Sequence, residues 1–337
     1  MEAYSRTVSP QNQPEDLDHS LRPQQLSDYI GQAENIANLK VFMQAAKQRQ
    51  EPLDHVLLSG PPGLGKTTLA QLIAVEMGVN ITATSAPAIE RPIDLLILLN
   101  ALQPYDVLFI DEIHRLSRVV EEILYPAMED LSFDRILNKG AAAGAVRHKI
   151  APFTLIGATT KQGALSAPLR SRFGIPMQLD FYSHVDLAAI VRRSAALLNT
   201  PIDDSGCLEI AKRCRGTPRI ANRLIKRVRD FAQVQGDAVI TAPVAGKALD
   251  RLAIDECGLD RTDRRILSML VERYNGNPVG LSTLAAAVQE EADNLEEVYE
   301  PYLLAEGFIV KTPRGRQAAQ RAYEHLGLAF QPSLPNN

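Results

Sequence analysis

Residues 60–68 read GPPGLGKTT, a match to G-x-x-x-x-G-K-[ST]. The run HVLLSG (55–60) precedes the glycines and reads as a short buried strand. TTLAQLIAVEMG (67–78) follows, a helix with apolar residues spaced by three and four and a stop at Gly78. Strand, glycine-rich turn and helix in immediate succession place the chain in a parallel α/β sheet. The same residues define a chemistry. Glycines let backbone N–H groups converge on phosphate oxygens, and the helix beginning near Lys66 adds its N-terminal dipole. Lys66 reaches toward β- and γ-phosphates, Thr67 offers a hydroxyl to Mg²⁺, and Thr68 stands beside them.

DVLFID (106–111) is a second buried strand, and FTLIGATT (153–160) a third. Asp111 emerges at a strand's carboxyl end, where a carboxylate holds Mg²⁺ directly or through water. Glu112 is placed to orient or deprotonate an attacking water; its alternative role is an acidic cap on the next helix. Thr159 and Thr160 end the third strand, and either is placed to sense a phosphate or is simply a β-branched strand residue. PLRSRFG (168–174) carries Arg170 and Arg172 on a turn, and an arginine supplied by a neighbouring subunit neutralises transition-state charge in phosphoryl transfer. EEILYPAMEDL (121–131) reads as a helix, and RILNKGAAAGAVRHKI (135–150) as a hairpin insertion outside the core sheet.

The texture changes twice. Residues 1–181 hold the α/β pattern after a polar tail at 1–20; residues 182–255 are helical; residues 256–337 give three helices, a strand (FIVKT) and a basic turn (PRGR), the order of a winged helix. The fold class is therefore α/β, with a parallel-sheet P-loop domain, a helical lid and a C-terminal winged-helix domain. Composition is ordinary for a globular chain, with net charge -4 and pI near 5.9, which excludes global attraction to nucleic acid or anionic lipid. Three cysteines without a C-x-x-C pair argue against a disulfide framework or zinc site. No apolar stretch reaches the length of a membrane span, so a cytoplasmic protein with no membrane partner is expected.

Taken in order, GPPGLGKTT, LFIDEIHRL, EEILYPAMED, TLIGATT, PLRSRFG, GTPRIANRL and TPRGR resemble the RuvB family, the bacterial Holliday-junction branch-migration motors among the AAA+ ATPases. The resemblance runs from Leu21 to Leu326. It implies ATP and Mg²⁺ as cofactors and a homo-hexameric ring on the duplex arms of four-way junction DNA. It also implies a RuvA-type junction-binding partner and a RuvC-type resolvase, in recombination and repair. It aligns Leu21 and Arg22 with an adenine-side segment, and Gly63, Gly65, Lys66, Thr67 and Thr68 with the phosphate loop. Thr67 and Asp111 align with the metal ligands, and Asp111 and Glu112 with the catalytic acidic pair. The backbone of Glu129, Asp130 and Leu131 aligns with a nucleotide contact, and Thr160 with a γ-phosphate sensor. Arg172 aligns with a trans-acting arginine finger, Tyr182 with a hinge near the base, and Arg219 with the lid's phosphate sensor.

The chain departs from the family pattern at Lys161, where G-A-T-T-R is usual, at the apolar stretch ERPIDLLILL (90–99), and at the hairpin tip AAAGA (141–145). The tip bears on which RuvA-type partner is recognised. For DNA, residues 256–337 hold eight basic and twelve acidic residues, so positive charge is local. Lys311 and Arg316, then Arg314, are the expected phosphate contacts. KRCRGTPRIANRLIKRVR (212–229) holds eight basic residues and no acid, and reads as a solvated lid helix rather than a second DNA patch. The alternatives are a clamp-loader or initiator type AAA+ ATPase acting on DNA, a non-hydrolysing winged-helix regulator, and a DEAH-type helicase. The winged C-terminus argues against the first, Glu112 and Arg172 against the second, and the domain order against the third.

Overall fold

The computed structural model describes residues 21–136 and 145–330. The tail at 1–20, most of the AAAGA tip and the C-terminal QPSLPNN lie outside them. Five parallel strands form the main sheet: β1 (Val56–Ser59), β2 (Ile81–Ser85), β3 (Val107–Asp111), β6 (Thr154–Thr159) and β7 (Ile175–Gln178), in the order β2-β3-β6-β1-β7. β1 and β6 are buried along their whole length, which is why their sequences run apolar without alternation. Successive residues still divide between the faces. Val56, Leu58, Phe109 and Ile156 enter one core, and Leu57, Leu108, Ile110 and Leu155 the other.

Helices α1 (Ala33–Arg49) and α2 (Lys66–Met77) cover the first face. Helices α3 (Pro92–Ala101) and α4 (Arg118–Glu129) cover the second, and the short α5 (Ala167–Ser171) adds Leu169 to that core. Pro92 is the first residue of α3, where its missing N–H costs nothing. Strands β2 and β7 carried little sequence signal. β2 is only partly buried, and β7 is an edge strand carrying Pro176. The expected hairpin is present as β4 (Ser132–Ile136) paired antiparallel with β5 (Ala145–Lys149), outside the main sheet.

The lid has four helices: α6 (His184–Leu197), α7 (Asp204–Lys212), α8 (Pro218–Gln235) and α9 (Ala242–Arg251). The fourth, APVAGKALDR, is rich in small residues and buries Ala245, Ala248 and Leu249. Leu187, Val191, Leu224 and Ile225 of the lid belong to the same core as the first face of the sheet. The winged-helix domain has its own core around Leu267, Leu284, Leu303 and Phe308. It consists of α10 (Arg261–Ser268, extended by a π turn at Met269–Arg273), α11 (Leu281–Val288) and α12. The last is one helical run of Ala292–Asn294, a π turn at Leu295–Tyr299 and Glu300–Ala305. The ribbon of β8 (Ile309–Thr312) and β9 (Gly315–Ala318) follows, then α13 (Gln320–His325).

Candidate nucleotide site

The glycines of the 60–68 loop hold backbone that other residues resist. Gly60, Gly63 and Gly65 have φ of 139°, 84° and 94°. A Cβ on Gly60 would sit 2.4 Å from the Leu179 carbonyl oxygen. The loop wraps the Lys66 ammonium, which donates to the carbonyls of Gly60 (2.7 Å) and Pro61 (2.8 Å). Burial, with the nearby Arg219 charge adding to it, pulls the Lys66 pKa down to about 8 against the opposing pull of Asp111. Gly63 packs on the lid, and its carbonyl accepts the Arg219 backbone N–H at 3.3 Å.

Around this loop lies a cleft of about 340 Å³, with sheet and loop on one side and lid on the other. Thr67 and Asp111 meet there, the hydroxyl 3.5 Å from a carboxylate oxygen. Glu112 follows in the left-handed region (φ 51°) and pairs with Arg115 at 2.9 Å. The two threonines separate. Thr159 bonds to the His114 imidazole (3.0 Å) and accepts the Lys161 N–H (3.0 Å), whereas the buried Thr160 hydroxyl has no hydrogen-bond partner among the described residues and lines the cleft. His114 is thus a buttress for Thr159.

At the other end, Leu21 and Arg22 line the cleft together with Tyr29, Tyr182 and Arg219. The Tyr182 hydroxyl lies 3.0 Å from the Tyr29 hydroxyl and 3.3 Å from the Leu64 carbonyl, with one proton to share between them, and burial raises the pKa of both phenols. Sequence reading missed Arg193, whose guanidinium donates to the carbonyls of Leu21 (2.8 Å) and Arg22 (3.4 Å) and so ties the N-terminal segment to the lid. It also missed Tyr29 and Asn222. Arg193 and Tyr29 sit in no motif and reach the cleft only through packing between distant segments, whereas Asn222 lies in GTPRIANRL, three residues after Arg219.

The cleft gathers Leu21, Arg22, Gly63, Gly65, Lys66, Thr67, Thr68, Asp111, Glu112, Thr160, Tyr182 and Arg219. It does not gather Glu129, Asp130, Leu131 or Arg172, the last of which was expected to act from a neighbouring subunit. Glu129–Leu131 lie where α4 passes into β4, and Arg172 is beside them, pairing with Glu129 at 3.0 Å and stacked 4.6 Å from the Tyr125 ring. In the ribbon, two of the three expected DNA contacts have acidic partners within the chain. Arg316 is largely buried and bound to Glu300, with Glu296 at 3.4 Å; Lys311 pairs with Glu300 at 3.0 Å. Burial of Glu300 forces this, because a buried carboxylate needs cations. Of the three expected DNA contacts, Arg314 alone is exposed with no acidic partner among the described residues. The basic run is also spoken for in part: Arg213 binds Glu209 and Asp250 within the lid.

The residues fit a nucleoside triphosphate and a divalent cation. The unpartnered Thr160 hydroxyl, the buried Lys66 ammonium and the glycine backbone suit phosphate oxygens, and Thr67 with Asp111 supplies hard oxygen donors. A phosphate loop at the carboxyl end of a parallel sheet, closed over by a helical lid, defines a nucleotide-binding ATPase of the AAA+ class. Three family models then cover nearly the whole chain. They are the Holliday junction DNA helicase RuvB P-loop domain at residues 21–179, the RuvB AAA lid domain at 182–255 and the RuvB C-terminal winged helix domain at 256–327. The chain belongs to the RuvB family. It is 58% identical over 323 residues to the Holliday junction branch migration complex subunit RuvB of Pediococcus pentosaceus, covering 96% of this chain and 95% of that one. It superposes on the Thermotoga maritima RuvB Holliday junction branch migration motor with a TM-score of 0.85 at 50% identity, covering 93% of this chain and 100% of that one. A mutant of the same Thermotoga protein gives 0.86 at 50% identity, over 92% and 99% of the two chains. Among the described residues no helix is long and apolar enough to cross a membrane.

Proposed function

We propose that this chain is the ATP-driven motor of Holliday-junction branch migration. It works as a homo-hexameric ring on the duplex arms of a four-way junction, with a RuvA-type junction-binding protein and alongside a RuvC-type resolvase. The observation that carries the reading is the split site. The cleft between sheet and lid holds every phosphate-facing group except Arg172, which sits outside it beside Glu129. A site so divided is completed by a neighbouring copy, the arrangement a ring repeats.

The roles follow from position. Glycine N–H groups and Lys66 hold the phosphates. Mg²⁺, held by Thr67 and Asp111, would screen the phosphate charge and orient the oxygens. Glu112 orients the attacking water and takes its proton. Thr160 and Arg219 read the γ-phosphate from sheet and lid, and Arg172 with the Glu129–Leu131 backbone faces the nucleotide of the next subunit. Because Gly63 and Arg219 are hydrogen-bonded through their backbones, a change at the phosphates reaches the lid without intermediaries. On DNA, Arg314 makes the first phosphate contact, and Lys311 joins it only by leaving Glu300.

The test is ATP-dependent dissociation of a synthetic four-way junction, with and without a RuvA-type partner. Dissociation should need ATP, the partner and Glu112. Glu112→Gln should keep nucleotide affinity while turnover falls roughly 10²- to 10⁴-fold. ATP hydrolysis with no junction processing under any partner would reject the motor and return the clamp-loader or initiator reading.

A further inference from the structure

Among the ion pairs that join the winged-helix domain to the rest of the chain, two are opposite in character. One is buried. Arg215, at the lid's Arg215-Gly216 turn, pairs with the fully buried Asp263 of α10 at 2.8 Å and lies 5.1 Å from the Tyr302 ring centre. Gly216 lies against Phe181, which stands edge-on to Tyr302 with ring centres 6.2 Å apart, so this tie sits where all three domains meet. The other is half exposed. Lys161 bridges Glu297 at 3.0 Å and Glu296 at 3.2 Å, both on α12. Removing a partner from a buried pair strands a charge in a dry site, so such a tie stays made. An ion pair open to water is nearly balanced between made and broken. The first tie therefore acts as a pivot and the second as a contact free to open.

The position of the second tie gives it a role. Lys161 directly follows Thr160, the residue whose unpartnered hydroxyl faces the nucleotide cleft. Glu296, at its far end, also faces Arg316 (3.4 Å) and Lys311 (3.8 Å) of the ribbon. One carboxylate is thus shared between the phosphate-facing strand and the DNA-facing ribbon.

We propose that Lys161 is a positioning residue that couples the nucleotide cleft to the DNA ribbon through Glu296 and Glu297. The inference rests on the motor reading above and adds to it the path between its two ligands. When a DNA phosphate draws Lys311 away, Glu296 loses one of its cations and holds Lys161 more firmly, which fixes Thr160, just past the end of β6. Coupling between two binding sites is reciprocal, so nucleotide at Thr160 must alter DNA affinity by the same factor.

The experiment uses the full-length protein and a duplex oligonucleotide. The DNA Kd is measured with and without a slowly hydrolysed ATP analogue, and the nucleotide Kd is measured alone. Wild type should show a DNA Kd ratio of roughly five or more. Lys161→Met should bring that ratio close to one while nucleotide Kd stays within about twofold. Lys161→Arg should preserve the ratio, because it keeps the charge. Glu297→Gln, which leaves the ribbon's own ion pairs intact, should lower the ratio in the same direction. A Lys161→Met ratio equal to that of wild type overturns the proposal, as does a wild-type ratio of one. A wild-type protein that binds neither nucleotide nor DNA would instead overturn the motor reading beneath it.

Discussion

Lys66 shows how one side chain sets a measurable pH dependence. Burial lowers its pKa to about 8 in the free cleft, and a bound polyphosphate, being anionic, must raise it. Binding therefore takes up a proton between the two values. Nucleotide affinity should be constant below about pH 8, fall as pH rises through it, and level off only above the bound-state pKa. Titration calorimetry in two buffers of different ionisation enthalpy checks this, and an affinity flat from pH 7 to 9.5 would contradict it. The same residue was legible in the sequence, as were Thr67, Asp111 and Glu112, because each stands at a fixed offset from a glycine or an apolar strand. Thr159 and Thr160 were not separable that way. Both end one strand, and the choice lies in His114, which occupies Thr159 and leaves Thr160 to the cleft. Arg193 and Tyr29 were illegible for the related reason that backbone carbonyls and ring packing leave no pattern in the sequence.

At the scale of elements, the joint between lid and winged helix contains the buried pair of Arg215 and Asp263. Asp263 caps α10 from within, accepting the Asp260 N–H, and also receives the Arg215 guanidinium. Asp263→Ala should destabilise the protein by about 3–5 kcal/mol, because Arg215 is left charged in a buried site with only the more distant Asp260 carboxylate, at 3.9 Å. Urea denaturation followed by the midpoint and slope checks this, and a loss under about 1 kcal/mol would show the site to be wetter than it looks. The helices here were readable from apolar spacing. The ribbon's chemistry was not, since the acids that bind Lys311 and Arg316 lie on α12, up to twenty residues away in sequence. A basic turn looks free in a sequence because its partners come from elsewhere.

For the whole molecule, the division of the site predicts complementation between two inactive proteins. An Arg172→Ala chain keeps an intact cleft, and a Glu112→Gln chain keeps an intact arginine. Mixed and allowed to reassemble at equal concentration, roughly a quarter of the interfaces join the two intact halves. ATPase activity should reappear to about that fraction of wild type on mixing. If the mixture is as inactive as either parent, Arg172 acts within its own chain.

The pairing of Arg172 with Glu129 has a consequence for the life of the protein before assembly. A freshly made copy, alone in solution, has its own arginine resting against its own carboxylate. On the proposed reading, in which Arg172 serves the neighbouring cleft, such a copy is silent and hydrolysis begins where neighbours have gathered. Specific activity should then climb with protein concentration, so that the fuel is consumed on junctions rather than by wandering subunits.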